Sequence, residues 1–364
     1  MTGVRGVVSR STRALQGLSI IGAAPGKLTR KAAIQRLAYV AFTVALIAAP
    51  FMLSRYWVAV VIAIALGVIG AAATNLLIGV ADQASIGNSA FMAIGAFVAA
   101  QVAIDWNWPF IPAILLGGVA AGGVGLIVGL PALRVRGLYL VTATLALHFV
   151  TLYALTVFQG SRVGVTGFIM PTVEIGPLTV QQSWYFVIMF CAVATIVMMR
   201  NLLRTRFGRA WASLARDEVA SSVLGVNVRS QKVAVFGFTS FLIGIQGALF
   251  GYYIGVVSVD PFTFELAVSY AAMIVIGGLG STKGSVLGAV FVVGLPYAVT
   301  WLGGFLPADI AATVSSRLFD FESVLYGLAI VVFLVFEPSG LAGLLSRMGR
   351  ALIPRPRVEV PPNA

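Results

Sequence analysis

The sequence predicts an all-α integral membrane protein of about ten transmembrane helices, and three observations carry that prediction. The 364 residues are 59% hydrophobic and only 10% charged, with mean hydropathy +0.99, far from the roughly 25% charge of soluble domains. Apolar runs recur at about 17 to 25 residues, the helical length that crosses roughly 30 Å of hydrocarbon. Finally, apolar and polar residues do not alternate in the way a lipid-facing barrel strand demands.

The runs fall at Leu37 to Leu53, Trp57 to Val80, Ala84 to Ile104, Phe110 to Leu133, Leu138 to Phe158, Trp184 to Leu203, Val233 to Val257, Leu266 to Gly280, Val286 to Leu302 and Val324 to Phe336. Lys and Arg set their orientation. With a cytoplasmic amino terminus, alternating spans leave Arg55, Arg162 and Arg317 outside and every other basic residue inside. Both termini are therefore expected in the cytoplasm. Segment 1–36 reads as a basic cytoplasmic tail on or near anionic lipid, 37–341 as the transmembrane domain, and 342–364 as a basic, proline-rich cytoplasmic tail without an ordered fold.

A net charge of +12 admits nucleic-acid binding in principle, but the cations lie between apolar runs and form no module with interleaved aromatics. Cys191 has no partner in the chain for a disulfide. Gly22 to Lys27 misses the phosphate-loop spacing by one residue and puts Leu28 where a magnesium-binding hydroxyl belongs. Gly277, Gly278, Gly280 and Gly284 miss the dinucleotide spacing, and no strand precedes them. ATPase and oxidoreductase chemistry are thus excluded on motif grounds. Clustered His, Cys or carboxylates for membrane-bound catalysis are lacking too.

Two loops break the pattern. Outside, Gln159 to Ser183 holds several glycines and prolines and suits a cap, a lid or a docking surface. Inside, residues 204–232 are polar and basic, with short helices expected at Gly208 to Ala215 and Asp217 to Leu224. The second starts at Asp217 and Glu218 and stops at Gly225. Val219, Val223 and Leu224 make it amphipathic, suited to a partner groove or a lipid surface. The spacing of Gly118 with Gly122, and Gly125 with Gly129, lines up small residues for close helix packing.

Ion-coupled carriers place titrating groups in mid-span, whereas the acids here sit at span edges. Only His148 lies well inside a span. Thr144, His148 and Thr151 share one helical face, which suits either a pathway or a contact with a neighbouring helix. The polar stretch Asp82 to Ser89, with Gln83, Ser85 and Asn88, is expected to be a tight turn or unwound backbone lining a passage.

Several blocks together resemble the permeases of branched-chain amino-acid ABC importers of the LivM type. They are Asn75 to Gly79 running into Gln83 to Gly87 and Ala90 to Ala96, Leu133 to Leu147, Thr205 to Lys232, Gly277 to Pro296, and Phe336 to Leu341. The likeness covers Asn75 to Gly343, most of the chain.

The resemblance implies the ABC importer permease fold in a bacterial inner membrane, working by alternating access. It implies a second permease subunit, two cytoplasmic ATPases that bind ATP and magnesium, and an extracytoplasmic solute-binding protein, with no cofactor in this chain. Arg206, Phe207, Gly208, Arg209, Asp217, Glu218, Ala220 and Gly225 fall on the family's ATPase-coupling loop, and Asn75 joins the pathway candidates. Where relatives often carry Gly-Glu, this chain has His148 and Phe149; the family's external Thr-Gly-Gly run is only partly kept near Gly164 and Gly167. Branched-chain amino acids are therefore the first expectation, with urea, short amides or aromatic acids beside them. The rival reading is an ion-coupled secondary transporter or channel.

Overall fold

The computed structural model describes residues 44–134, 137–173, 177–303, 324, 328, 331 and 340–351. The expected amino-terminal tail, the tenth span from Val324 to Phe336 apart from three positions, and the end of the carboxy-terminal tail lie outside the described residues. Residues 44–52 form a short helix, closed by Leu53 N–H donating to Ala49 C=O at 2.9 Å.

The remaining elements are α1 (Arg55–Thr74), a π-helical turn (Asn75–Val80), α2 (Asn88–Asp105), α3 (Phe110–Gly129), α4 (Leu138–Arg162), β1 (Phe168–Ile169), α5 (Val180–Leu202), α6 (Arg206–Arg216), α7 (Glu218–Val223), α8 (Val228–Ile254), β2 (Val256–Val257), α9 (Phe264–Gly277), α10 (Thr282–Gly303) and α11 (Gly340–Ala351). Among the described residues, six helices are long and apolar enough to cross a membrane, and α9 and the Thr282–Ala298 part of α10 are shorter apolar helices.

The core is α8 with α3 and α2 against it. Glycine permits this because lipid supplies no hydrophobic drive between helices, and close backbone approach must supply the contact instead. The expected glycine face of α3 meets α8: Gly118 lies against Ile245, Gly122 against Phe241, Gly125 against Ser240 and Gly129 against Val233. On α2, Gly95 touches the backbone of Gly244, and Gly247 of α8 touches that of Met92. Around this block, α1 packs on α10 and α5, and α9 on α10. Helix α4 is the least buried of the six long helices, and its main helix neighbour is α2.

The loops sort to two ends. At one, β1 pairs antiparallel with β2, Phe168 opposite Val257. Gln159 ties this end together, accepting from Val259 N–H at 2.9 Å and donating to Gly164 C=O at 3.3 Å. Arg162 and Asp105 pair there at 2.8 Å. At the other end sit the break after α1, the α6–α7 segment, the α9–α10 turn and Gly340.

Three sequence expectations change. The second span does not stay α-helical to Val80: it widens into the π turn at Asn75, with Ala81 N–H reaching back to Leu76 C=O at 3.1 Å. The third span starts at Asn88 rather than Ala84, because Asp82 to Gly87 is unwound and Asp82 takes a positive φ of 51°. Residues 342–351, expected to lack order, are helical in α11, since the prolines that break helices begin only at Pro354.

Candidate functional site

The polar residues that interrupt the apolar runs gather at the end of the bundle holding the α1 break. Unwinding a chain at membrane depth strips backbone groups of helical partners, and something in the protein must replace them. Two adjacent side chains at the α-to-π junction tie the break to its neighbours, and the second of them satisfies backbone groups of the α9–α10 turn. The Thr74 hydroxyl donates to Gly70 C=O at 2.7 Å and accepts from the Asn88 amide at the start of α2. The next residue, Asn75, reaches the α9–α10 turn instead: its Oδ1 accepts from Gly280 N–H at 2.8 Å and its Nδ2 donates to Ser281 C=O at 3.0 Å. Both side chains are buried.

A second group joins the unwound segment to α4. Ile86 N–H donates to Thr144 Oγ1 at 3.1 Å, whose own hydroxyl donates to Val141 C=O at 3.0 Å. Ser85 Oγ accepts from Gly87 N–H at 3.3 Å. One turn beyond Thr144, His148 is wholly buried, its Nδ1 2.9 Å from Ser89 Oγ. Its Nε2 meets no hydrogen-bonding group among the described residues. The rings of Phe149 and Phe264 stand 5.2 and 6.4 Å from the imidazole. Thr144 and His148 thus share the face of α4 turned to α2, while Thr151 is only half-buried.

The third group is the polar connection between α5 and α8. Thr205 caps α6 by accepting from Gly208 N–H, and Gly208 lies against the Leu202 carbonyl and Leu203, where a side chain has no room. Trp211 and Leu214 are buried, with the Trp211 ring 6.3 Å from Phe238 of α8. Arg206, Phe207 and Arg209 stay exposed. Asp217 caps α7 through Oδ1, which accepts from Val219 and Ala220 N–H at 2.8 and 3.1 Å. Gly225 ends the segment at φ 84°, a conformation that favours glycine. The apolar side chains Val219, Val223 and Leu224 are exposed. Behind them, Glu218 forms an ion pair with Lys232 of α8 at 2.5 Å, the lysine side chain only 8% exposed.

The first part of the unwound segment and the third group share a cavity of about 400 Å³, lined among others by Asp82, Gln83, Leu214, Asp217, Glu218 and Lys232. Gln83 is buried, and its Oε1 meets no hydrogen-bonding group among the described residues.

Among the described residues the pathway candidates fall into separate groups. Asn75 is engaged with the α9–α10 turn, Gln83 with the α6–α7 cavity, and Ser85, Asn88, Thr144 and His148 with the start of α2. Sequence reasoning missed Thr74, Ser281 and Lys232. The first two are short polar residues easily taken for packing, and Lys232 looked like one more cation among many.

A family model described as the permease component of branched-chain amino-acid transport systems matches residues 56–334. The chain belongs to this family. The permease is 26% identical over 333 residues to the high-affinity branched-chain amino-acid transport system permease protein LivM of Escherichia coli K12, covering 84% of this chain and 75% of that protein. Its likeness to LivM of Salmonella typhimurium LT2 has the same identity and extent. No solved structure matches the permease. It is accordingly a transport subunit with membrane-spanning helices, and its exposed α6–α7 segment occupies the positions the sequence assigned to ATPase coupling.

Proposed function

We propose that the permease is the translocating subunit of an ATP-driven importer for branched-chain amino acids or closely related small amphipathic solutes. It pairs with a second permease, two cytoplasmic ATPases and an extracytoplasmic binding protein, and it binds no ATP itself. The observation that carries this reading is the seating of α6 and α7. They are fixed to α8 by buried Trp211 and the Glu218–Lys232 pair, face the unwound segment across a cavity, and leave apolar side chains exposed for a partner. The basic residues of this end support a cytoplasmic side for it in a bacterial inner membrane. ATP shifts inward and outward populations only if ATPase closure contacts them differently, and this segment is positioned to feel that difference. The weakly covered α4 offers a face to the second permease.

The test is reconstitution. Uptake by the complete complex in proteoliposomes should require internal ATP and persist when ion gradients are dissipated. Accumulation of solute by this chain alone would identify a secondary carrier.

Within this reading, the passage runs beside the α2–α4 seam, where His148 shapes substrate choice. His148→Ala should change relative uptake among leucine, valine, urea and short amides; identical kinetics for all of them reduce the residue to packing. Ser89→Ala, which removes the hydroxyl from His148 Nδ1, should cost about 1 to 3 kcal/mol of stability, read from thermal melting of the purified permease.

A further inference from the structure

Two chain breaks, 206 residues apart in sequence between Asn75 and Ser281, meet through a single carboxamide. The Asn75 side chain carries the same donor and acceptor as a peptide group, and it pairs with the α9–α10 turn on both: Gly280 N–H to Oδ1 and Nδ2–H to Ser281 C=O. Among side chains of that length, asparagine alone offers both halves of the pairing in one plane without taking up a proton. The contact is reinforced by backbone. Gly79, in the π turn, abuts Gly280, and a Cβ on Gly280 would lie 3.1 Å from the Gly79 carbonyl oxygen. Gly278 and Gly280 hold φ of 111° and 74°, and Gly340 at the start of α11 presses on Gly278, where a Cβ would stand 2.5 Å from its nitrogen.

The first break also meets the coupling segment: α6 packs on the π turn and on α7, and Asp82 and Gln83 line one cavity with Asp217, Glu218 and Lys232. A displacement of α6 with α7 thus bears on the turn that begins at Asn75. The tie passes it to the foot of α10.

We propose that Asn75 is a positioning residue: its carboxamide locks the unwound end of α1 to the α9–α10 turn, so that both breaks move as one body when the ATPases drive the coupling segment. It acts on the transmission of movement and touches no substrate. This inference rests on the ATP-driven reading above, and its failure is distinguishable from that reading's. If uptake by the wild-type complex does not need ATP, the reading falls, whatever Asn75 does.

The experiment compares Asn75→Ala and Asn75→Asp with wild type in the complete complex in proteoliposomes. Leucine uptake and ATP hydrolysis are measured separately and normalised to assembled complex. ATP hydrolysis, whose residues lie on other chains, should stay within about twofold. Maximal uptake should fall at least tenfold with KM for the leucine-loaded binding protein unchanged, so ATP consumed per leucine rises about tenfold. Asn75→Asp keeps the side chain's size and an acceptor for Gly280 but replaces the donor to Ser281 by an oxygen. It should be uncoupled as well. Gly123→Ala, on an open face of α3, is the control and should match wild type.

The proposal is overturned if uptake and hydrolysis fall in parallel, if KM shifts while maximal uptake holds, or if both variants transport normally. Failure of both variants to assemble also overturns it, because Asn75 then serves the fold alone.

Discussion

Glu218→Lys and Lys232→Glu should each reduce uptake at least tenfold while the protein still inserts, and the double exchange should recover much of the loss. The reason is burial: a lysine side chain only 8% exposed has its charge matched by the Glu218 carboxylate at 2.5 Å. Removing one member of such a pair leaves a charge with poor solvation, which typically costs about 3 to 5 kcal/mol. Glu218 is partly exposed, so the lower end applies. That energy holds α7 on α8, and on the proposed coupling role a loosened α7 would no longer carry a push to the cavity wall. Uptake in cells and melting of the purified permease read the two consequences separately. If single variants transport like wild type, α7 is held by something else. If the exchanged pair is as inactive as the singles, the charges act on a partner and not on each other.

Gly247→Leu should be the more damaging change to the fold. A Cβ at Gly247 falls on the Met92 backbone, with the Met92 Cα at 2.9 Å, so α2 and α8 must separate along their length. Over-packing a tight interior costs about 1 to 3 kcal/mol and occasionally more, and a branched side chain against backbone has no soft neighbour to displace. We expect loss of folded protein from the membrane, measured as the detergent-soluble monodisperse fraction. Gly123→Ala, with nothing within 4 Å, should leave stability unchanged or raise it by up to about 1 kcal/mol. Equal behaviour of the two variants would remove close backbone approach as the basis of the α2–α8 contact.

Much of this architecture was legible because lipid simplifies the code. Long apolar runs located the six long helices, and the four-residue glycine spacing in Phe110–Gly129 named the face that meets α8. Caps were legible as well: Asp217 and Gly225 bound α7 as local chemistry dictates. What the sequence hid is non-local. The π turn at Asn75 depends on a turn some 200 residues away, and no local propensity encodes that. Its one trace was a Thr-Asn pair in the midst of aliphatic residues. Likewise, the 3.6-residue period put Thr144, His148 and Thr151 on one face but left open what that face meets. The answer lay in Ser89 and the backbone of Ile86, which pairing alone reveals.

Where α2, α3 and α8 touch main chain to main chain, there are few flexible side chains to re-pack between them. Such a slab yields little under load. On the proposed ATP-driven reading, work delivered at the end that carries α6 and α7 would spare the slab and concentrate in the thinly attached α4, the long helix with the least burial. A stiff pier with one compliant edge would convert a small stroke into a local gate motion and not into a general swelling of the bundle.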